Sequence, residues 1–211
     1  MIPSREEMEF ALAQRHGEEI QKKFGGARVA ICGLGGLGSN VAVALARAGV
    51  GYLHLIDFDR VDISNLNRQQ YFADQIGMNK TEALTENIKR IAPYVELRTD
   101  TVMITEENVR GILKDDDIIC EAFDKAENKA MLVNAVMETF PEKPVVAASG
   151  MAGIGSANSI VTKRITRNFY LCGDRESDVA SGLGLFSARV IACAAHEAQM
   201  ILRIIAGERD A

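Results

Sequence analysis

The feature that most constrains this chain is a glycine-rich turn between two patterned runs. Residues 29–32 are apolar and with Arg28 indicate a buried strand, and the apolar positions of residues 39–48 recur at helical spacing. The turn between them contains Gly33, Gly35, Gly36 and Gly38. Such a turn lets backbone N–H groups and a helix N-terminus approach an anion closely. Packing alone does not require so many glycines, so the pattern predicts a βαβ unit that binds phosphate.

An acidic residue extends the nucleotide-binding pattern. Asp57 follows the apolar run 52–56 and lies 19 residues after Gly38. An acid at this position can accept hydrogen bonds from the hydroxyl groups of a ribose. This part of the pattern fits a nicotinamide enzyme and an ATP enzyme equally.

Polar residues downstream of Asp57 separate these two classes. A hydride-transfer site requires an open apolar slot for nicotinamide, whereas Arg68 and Lys80 supply positive charge near the glycine turn. Positive charge suits a triphosphate, whose own charge must be offset before its α-phosphorus is attacked. The sequence therefore favours ATP. The candidate nucleotide-binding residues are Gly33, Gly35, Gly36, Gly38, Asp57, Asp59, Ser64, Asn65, Leu66, Asn67, Arg68, Gln69 and Lys80.

Residues 29–80 resemble the ThiF/MoeB family, the bacterial relatives of ubiquitin-activating enzymes, and most of all a short ThiF-type thiamine biosynthesis protein. The resemblance rests on the glycine turn, on Asp-Phe-Asp at 57–59 and on Ser-Asn-Leu-Asn-Arg-Gln at 64–69. It becomes looser from residue 80 to residue 148. It implies a homodimer that uses ATP and Mg²⁺ to adenylate the C-terminal glycine carboxylate of a small β-grasp sulfur carrier. The carrier would be ThiS-like and end in Gly-Gly, and the pathway would be thiazole synthesis for thiamine.

The resemblance also implies roles for three residues outside the glycine turn. An aspartate in the position of Asp124 helps to hold Mg²⁺ in the family, although the residues alone favour a helix cap. The family usually has Asn after this aspartate, where this chain has Lys125. Arg15 would reach the ATP phosphates of the partner subunit, whereas the residues alone indicate a surface arginine. Cys172 would handle sulfur or acyl transfer, or it is a bystander.

Composition narrows the class of protein further. The chain has 211 residues, a net charge of −5 and a pI near 5.3, which argues against a nucleic-acid-binding surface. No apolar run approaches the roughly 18 residues of a membrane span, and residues 1–24 are too charged for a signal peptide. We therefore predict a cytoplasmic protein that binds neither membrane nor nucleic acid. The four cysteines form no Cys-x-x-Cys pair, so no structural zinc is expected.

The alternation of strand and helix patterns predicts an α/β fold with a Rossmann-like, largely parallel sheet and flanking helices. We expect a single domain over residues 1–211, with a leading helix at 4–24 and a nucleotide-binding core at 28–148. Residues 149–211 would bind the carrier through a hairpin, a mobile crossover loop at 172–184 and a long C-terminal helix. Strands are predicted at 28–32, 52–56, 95–99, 117–120 and 145–148, hairpin strands at 159–166 and 168–171, and helices at 39–48, 79–92 and 185–205.

Three other functions share part of this pattern. Some ThiF-like dehydratases use the same site on a small molecule or a modified tRNA without a carrier. An NAD(P)-dependent oxidoreductase would share the glycine turn and Asp57, but it gives no role to Arg68, Lys80 or Asp124. A non-catalytic subunit, like the inactive half of a heterodimeric activating enzyme, would not need these three residues either.

Overall fold

The computed structural model describes residues 2–177 and 183–211, and a seven-stranded sheet forms its centre. The strands are β1 (Arg28–Cys32), β2 (Tyr52–Ile56), β3 (Glu96–Asp100), β4 (Ile118–Glu121), β5 (Val145–Ala148), β6 (Val161–Arg164) and β7 (Phe169–Gly173). The helices are α1 (Arg5–His16), α2 (Glu18–Gly26), α3 (Gly36–Ala48), α4 (Lys80–Ile91), α5 (Val109–Leu113), α6 (Ala126–Thr139) and α7 (Ser187–Ala206).

The strand order is β3-β2-β1-β4-β5-β7-β6. Every neighbouring pair is parallel except β6 and β7, which form the antiparallel hairpin. The chain therefore builds outward from β1 to β3 and then returns to add β4 on the other side of β1. Ligands of open parallel sheets bind at such a reversal, outside the carboxyl ends of the strands. The predicted α/β class, with its parallel sheet, hairpin and long C-terminal helix, is confirmed.

Both faces of the sheet are covered, as the continuous apolar character of its central strands requires. Along β1, Val29 and Ile31 belong to the hydrophobic cluster beneath α3, α4 and α7. Ala30 and Cys32 point to the opposite face and join a smaller cluster with α5 and α6. This alternation leaves only the ends of the strands open to solvent or to a ligand.

Two glycines bring α3 close to β1. A Cβ on Gly38 would lie 1.9 Å from the carbonyl oxygen of Gly33, so a larger residue would push the helix away from the strand. Gly33 itself has φ +93°, a conformation that favours glycine, and a Cβ there would lie 2.8 Å from the carbonyl oxygen of Ala122. These glycines therefore place the N-terminus of α3 at the carboxyl end of β1, where the strand order of the sheet reverses.

The leading segment differs from the single helix predicted at 4–24. It forms α1 and α2, which are separated at Gly17, where φ is +87°. Such a φ interrupts a right-handed helix. No residue of α1 is buried, whereas Gln21 and Phe24 anchor α2 to the body of the protein.

Across residues 2–177 and 183–211, no helix combines the length and the apolar character needed to cross a bilayer.

Candidate functional site

A cleft of about 480 Å³ opens at the carboxyl ends of β1, β2, β4 and β5. The glycine turn after β1 and the loops after the other three strands form its walls. Ten of the residues selected from the sequence line it: Gly33, Gly35, Gly36, Asp57, Asp59, Asn65, Arg68, Gln69, Lys80 and Asp124. The structure thus brings together in one cleft side chains that are separated by up to 91 residues of sequence.

Asp57 holds the glycine turn in place. Its Oδ2 accepts a hydrogen bond of 2.6 Å from the backbone N–H of Leu34, and its Oδ1 accepts one of 2.7 Å from the N–H of Asp59. The side chain is nearly buried and still lines the cleft. The carboxylate selected as a ribose acceptor therefore also fixes the shape of the phosphate-binding turn.

Lys80 begins α4 and is buried at the wall of the cleft. Its Nζ lies 2.8 Å from Oδ2 of Asp59 and 3.8 Å from Oδ2 of Asp57. The backbone N–H of Lys80 also donates to the carbonyl oxygen of Asp59. These contacts fix the position of a cation that the macrodipole of α4 does not favour.

Arg68 covers the first turn of α3. Its Nη1 donates to the carbonyl oxygen of Ser64 at 3.0 Å and to Oδ1 of Asn67 at 2.7 Å. Burial lowers the pKa of Arg68, and the negative charge of Asp124 opposes that shift. The Nε and Nη2 groups have no hydrogen-bond partner among the described residues, so they are available to an anion in the cleft.

The floor of the cleft has the space and the polar atoms that a nucleotide requires. A Cβ on Gly36 would lie 2.9 Å from Val190 and 3.4 Å from the side chain of Arg68, so only glycine leaves this surface open. Oε1 of Gln69 is buried without a hydrogen-bond partner among the described residues. An unpartnered buried carbonyl oxygen is costly, and a donor from a ligand would satisfy it.

We therefore expect Gly36→Val to weaken the binding of an ATP analogue by about 10-fold or more, since the added methyl groups fill the floor of the cleft at Gly36. Equilibrium titration with a non-hydrolysable analogue measures this effect. Gly25→Val is the control, because a Cβ on Gly25 meets no atom within 4 Å. Equal affinity in both variants would contradict the expectation that the nucleotide lies against Gly36.

The mouth of the cleft carries three partly exposed apolar side chains, which the sequence analysis did not select. Phe58, Val102 and Met103 come from the loops after β2 and β3. Apolar side chains at the rim of a polar cleft are suited to a flat aromatic group. Phe58 was visible as the centre of the Asp-Phe-Asp run, whereas no local signal marked Val102 and Met103.

Sequence reasoning also missed an ion pair on the β4 side of the cleft. Nζ of Lys129 lies 3.2 Å from both carboxylate oxygens of Glu121, which is fully buried at the end of β4. Burial raises the pKa of Glu121, and the positive charge of Lys129 opposes that shift. The only sequence signal is an acid that ends an apolar strand and a lysine in the first turn of the next helix.

Asp124 presents a carboxylate that suits Mg²⁺. It is exposed in the cleft and accepts no hydrogen bond from the described residues. These residues contain no group of three or more His, Cys, Asp or Glu side chains that could hold a metal ion. Mg²⁺ usually needs only one or two carboxylates when phosphates supply further ligands. The arrangement therefore fits Mg²⁺ that is bound together with a nucleotide.

Four other selected residues lie outside the lining of the cleft. Ser64 donates to Asp62 through its hydroxyl group, and Leu66 packs against the hydrophobic core. Nδ2 of Asn67 donates to the carbonyl oxygen of Leu185 at 3.1 Å, which ties the 64–69 loop to the start of α7. Gly38, the fourth, packs α3 against the turn after β1. These four residues therefore shape the cleft without facing it.

Arg15 lies at the opposite end of α3 from the glycine turn. It is exposed in a separate groove that is formed by α1, α2 and the C-terminal end of α3 near Gly49. A helix of 13 residues spans about 20 Å, so Arg15 does not reach the cleft of its own subunit. A role at the phosphates would require a second copy of the chain.

Cys172 was expected to begin the crossover loop at 172–184, and this placement is wrong. It lies within β7, and its side chain is buried in the hydrophobic cluster that also contains residues of α7. Burial raises the pKa of the thiol to about 12. A buried thiol of raised pKa is a poor nucleophile, which argues against sulfur or acyl transfer. Residues 178–182 of the predicted mobile loop lie outside the described residues.

We expect iodoacetamide at pH 8 to leave Cys172 unmodified in the native protein and to modify it after denaturation in urea. The cause is burial of the thiol and its raised pKa, about 12, which leaves it protonated at this pH. Peptide mass spectrometry measures the modification. Cys120, which is also buried, provides an internal control. Rapid and selective alkylation of native Cys172 would contradict its placement.

Three comparisons with known proteins show what this chain is similar to. A family model described as "ThiF family" matches residues 8–211. The chain is 32% identical over 143 residues to the tRNA threonylcarbamoyladenosine dehydratase of Escherichia coli. This alignment covers 67% of this chain and 53% of the dehydratase. The chain is also 35% identical over 122 residues to the adenylyltransferase and sulfurtransferase MOCS3 of Caenorhabditis briggsae. This alignment covers 57% of this chain and 30% of MOCS3.

The fold is also similar to that of the crystal structure of the Escherichia coli dehydratase in complex with ATP. The TM-score is 0.86, and the superposition covers 98% of each chain at 22% sequence identity. In the sequence alignments, by contrast, the chain spans about half the length of the dehydratase and less than a third of MOCS3.

Proposed function

The chain belongs to the ThiF family, and from this premise we propose that it uses ATP to adenylate a carboxylate and releases pyrophosphate. One observation carries the proposal: Arg68, Lys80 and Asp124 line the same cleft as the glycine turn, which forms its floor. Two cations and a candidate Mg²⁺ ligand thus face the surface where a triphosphate would lie.

The proposed reaction needs charge stabilisation more than proton transfer. A carboxylate is ionised at neutral pH, so no general base is required to activate it. One carboxylate oxygen attacks the α-phosphorus in line, the bond to the β-phosphate oxygen breaks, and pyrophosphate leaves with its electron pair. The chain would contribute mainly by holding two anionic reactants together in the right orientation.

The residues of the cleft divide these tasks. Asp57 would accept hydrogen bonds from the ribose hydroxyl groups, and Phe58 and Met103 would contact the base. Gly36 would lie against the α-phosphate, and Arg68 and Lys80 would offset the charge that grows on the leaving group. Asp124 would hold Mg²⁺, which supplies further charge neutralisation when it is bound.

One candidate acceptor is the C-terminal glycine of a small β-grasp carrier. The glycine-rich loop at 149–155 begins at the cleft and permits close approach of an extended peptide. The similarity to MOCS3, which is named an adenylyltransferase and sulfurtransferase, supports this candidate. The thiamine pathway and the ThiS-like identity of the carrier rest on the sequence resemblance alone.

The second candidate acceptor is a modified tRNA. Threonylcarbamoyladenosine carries the carboxylate of its threonine, and a dehydratase reaction could proceed through adenylation of that group. The similarity to the Escherichia coli dehydratase, in sequence and over the whole fold, supports this candidate more strongly than anything supports a thiamine carrier. The net charge of −5 opposes it, because tRNA binding usually requires a basic surface.

Acceptor-dependent exchange of labelled pyrophosphate into ATP tests the proposal. Purified chain is mixed with Mg²⁺ and ATP, and either a Gly-Gly-terminated carrier or threonylcarbamoyladenosine-containing tRNA is added. Exchange with one acceptor would identify the substrate class. Stabilisation by NADH without stabilisation by Mg-ATP, measured as a shift in melting temperature, would instead indicate a nicotinamide enzyme.

We further propose that the active species is a homodimer in which Arg15 of each subunit approaches the phosphates bound by the other. The position of Arg15 in a groove away from its own cleft is compatible with a role across an interface. Mixing an Arg15→Ala subunit with an Arg68→Ala subunit tests this arrangement. Partial recovery of exchange in the mixture would support shared sites, and no recovery would count against them.

A further inference from the structure

Four cations line the cleft, and three of them have partners within the protein. Lys80 and Lys129 form ion pairs, and Arg68 donates to two neighbouring oxygen atoms. The side chain of the fourth cation, Lys125, forms no hydrogen bond or ion pair with any residue that the structure describes. It is exposed and lines the same cleft. Lys125 is therefore the cation most available to a ligand.

Lys125 also occupies a position that is unfavourable without an anion. It is the N-cap residue of α6, a helix of 14 residues, and its side chain makes no capping hydrogen bond. The N-terminus of a helix carries partial positive charge, which repels a lysine and attracts an anion. A negatively charged group bound beside Lys125 would relieve this repulsion.

The order of the strands indicates which negatively charged group would bind beside Lys125. Asp57 and Met103, at the ends of β2 and β3, would hold the ribose and the base. The glycine turn after β1 would hold the phosphates. Lys125 follows β4, beside the loop that begins at Ser149 after β5. It thus lies on the side of the cleft that the nucleoside does not use.

We propose that Lys125 binds the carboxylate of the acceptor and positions it for attack on the α-phosphorus. This inference rests on the proposed adenylation reaction and adds a residue that recognises the second substrate. Because a lysine donates from a compact point charge, it can hold one carboxylate oxygen while the other remains free to attack. Asp124, the preceding residue, would hold Mg²⁺ on the adjacent phosphates.

Steady-state exchange kinetics with Lys125→Gln test the inference. The acceptor is whichever of the two, Gly-Gly-terminated carrier or modified tRNA, supports exchange by the wild-type protein. We expect the KM for the acceptor to rise about 10-fold or more, the scale for one lost charge-assisted hydrogen bond. The KM for ATP and the Kd of a non-hydrolysable ATP analogue should stay within about twofold.

Two further variants serve as controls. Lys125→Arg keeps the positive charge and should restore most of the affinity for the acceptor. Lys114→Gln makes the same change of charge at an exposed lysine that directly follows α5, outside the cleft, and should leave the KM for the acceptor unchanged. Melting temperatures confirm that each variant is folded.

An unchanged KM for the acceptor in Lys125→Gln would overturn the inference. So would a raised KM for ATP or a weakened Kd for inorganic pyrophosphate with no change for the acceptor, since Lys125 would then bind the leaving group. Absence of exchange by the wild-type protein with either acceptor is a different result, because it refutes the proposed function and the inference together.

Discussion

Asp124→Ala is expected to abolish acceptor-dependent ATP–pyrophosphate exchange while the protein stays folded. Asp124 is the exposed carboxylate of the cleft that accepts no hydrogen bond from the described residues, so its removal breaks no contact that stabilises the fold. Its loss would remove the candidate ligand of Mg²⁺ and leave the charge of the triphosphate uncompensated. We expect a decrease of at least about 1000-fold, the upper range for losing one element of transition-state stabilisation.

Asp74→Ala is the matched control for this variant. Asp74 is an exposed aspartate of the loop after β2, and it lies outside the lining of the cleft. It should retain wild-type exchange. Exchange by Asp124→Ala at the same rate as by Asp74→Ala would exclude Asp124 from the mechanism.

Arg68→Ala is expected to lower the rate of exchange by about 100-fold or more, the scale for deleting one donor to transition-state charge. The methylene carbons of Arg68 would lie 3.4 Å from a Cβ on Gly36, and its Nε and Nη2 groups have no hydrogen-bond partner among the described residues. Arg68→Lys should recover part of the activity, because it keeps the charge without the fork of donors.

Arg68 also donates to Ser64 and Asn67, so its loss could loosen the 64–69 loop. Thermal melting separates this effect from a catalytic one. Arg110→Ala, which removes an exposed arginine of α5, should leave both exchange and melting unchanged. A variant Arg68→Ala with wild-type exchange would contradict the role assigned to this residue.

The nucleotide-binding half of the fold was predictable because its determinants are local. Gly33 needs a positive φ, and Gly38 must lie against the turn after β1, so the two glycines indicate a strand, a turn and a helix within one short run. The apolar runs at 29–32, 52–56 and 145–148 have the lengths of buried strands. The predicted and observed bounds of β1, β2 and β5 are therefore the same.

Features that depend on distant pairing were not predictable in this way. Cys172 follows an alternating run and precedes a polar one, so the sequence cannot show that β7 continues through it to Gly173. The continuation results from pairing with β5, which lies 21 residues or more earlier in the chain. The break of the leading helix at Gly17 is similar, because a single glycine is tolerated inside many helices.

The candidate site shows the same division. Asp57, Arg68 and Lys80 could be selected because they belong to runs that resemble a known family. Glu121 and Lys129 could not, since a buried ion pair is visible only when β4 and α6 are placed side by side.

A crystal structure with a non-hydrolysable ATP analogue and Mg²⁺ tests the central claim most directly. The account predicts that the ribose lies at Asp57, the α-phosphate at Gly36 and the remaining phosphates beside Arg68 and Lys80, with Mg²⁺ on Asp124. A nucleotide bound elsewhere on the chain, or one whose triphosphate points away from these four side chains, would contradict it.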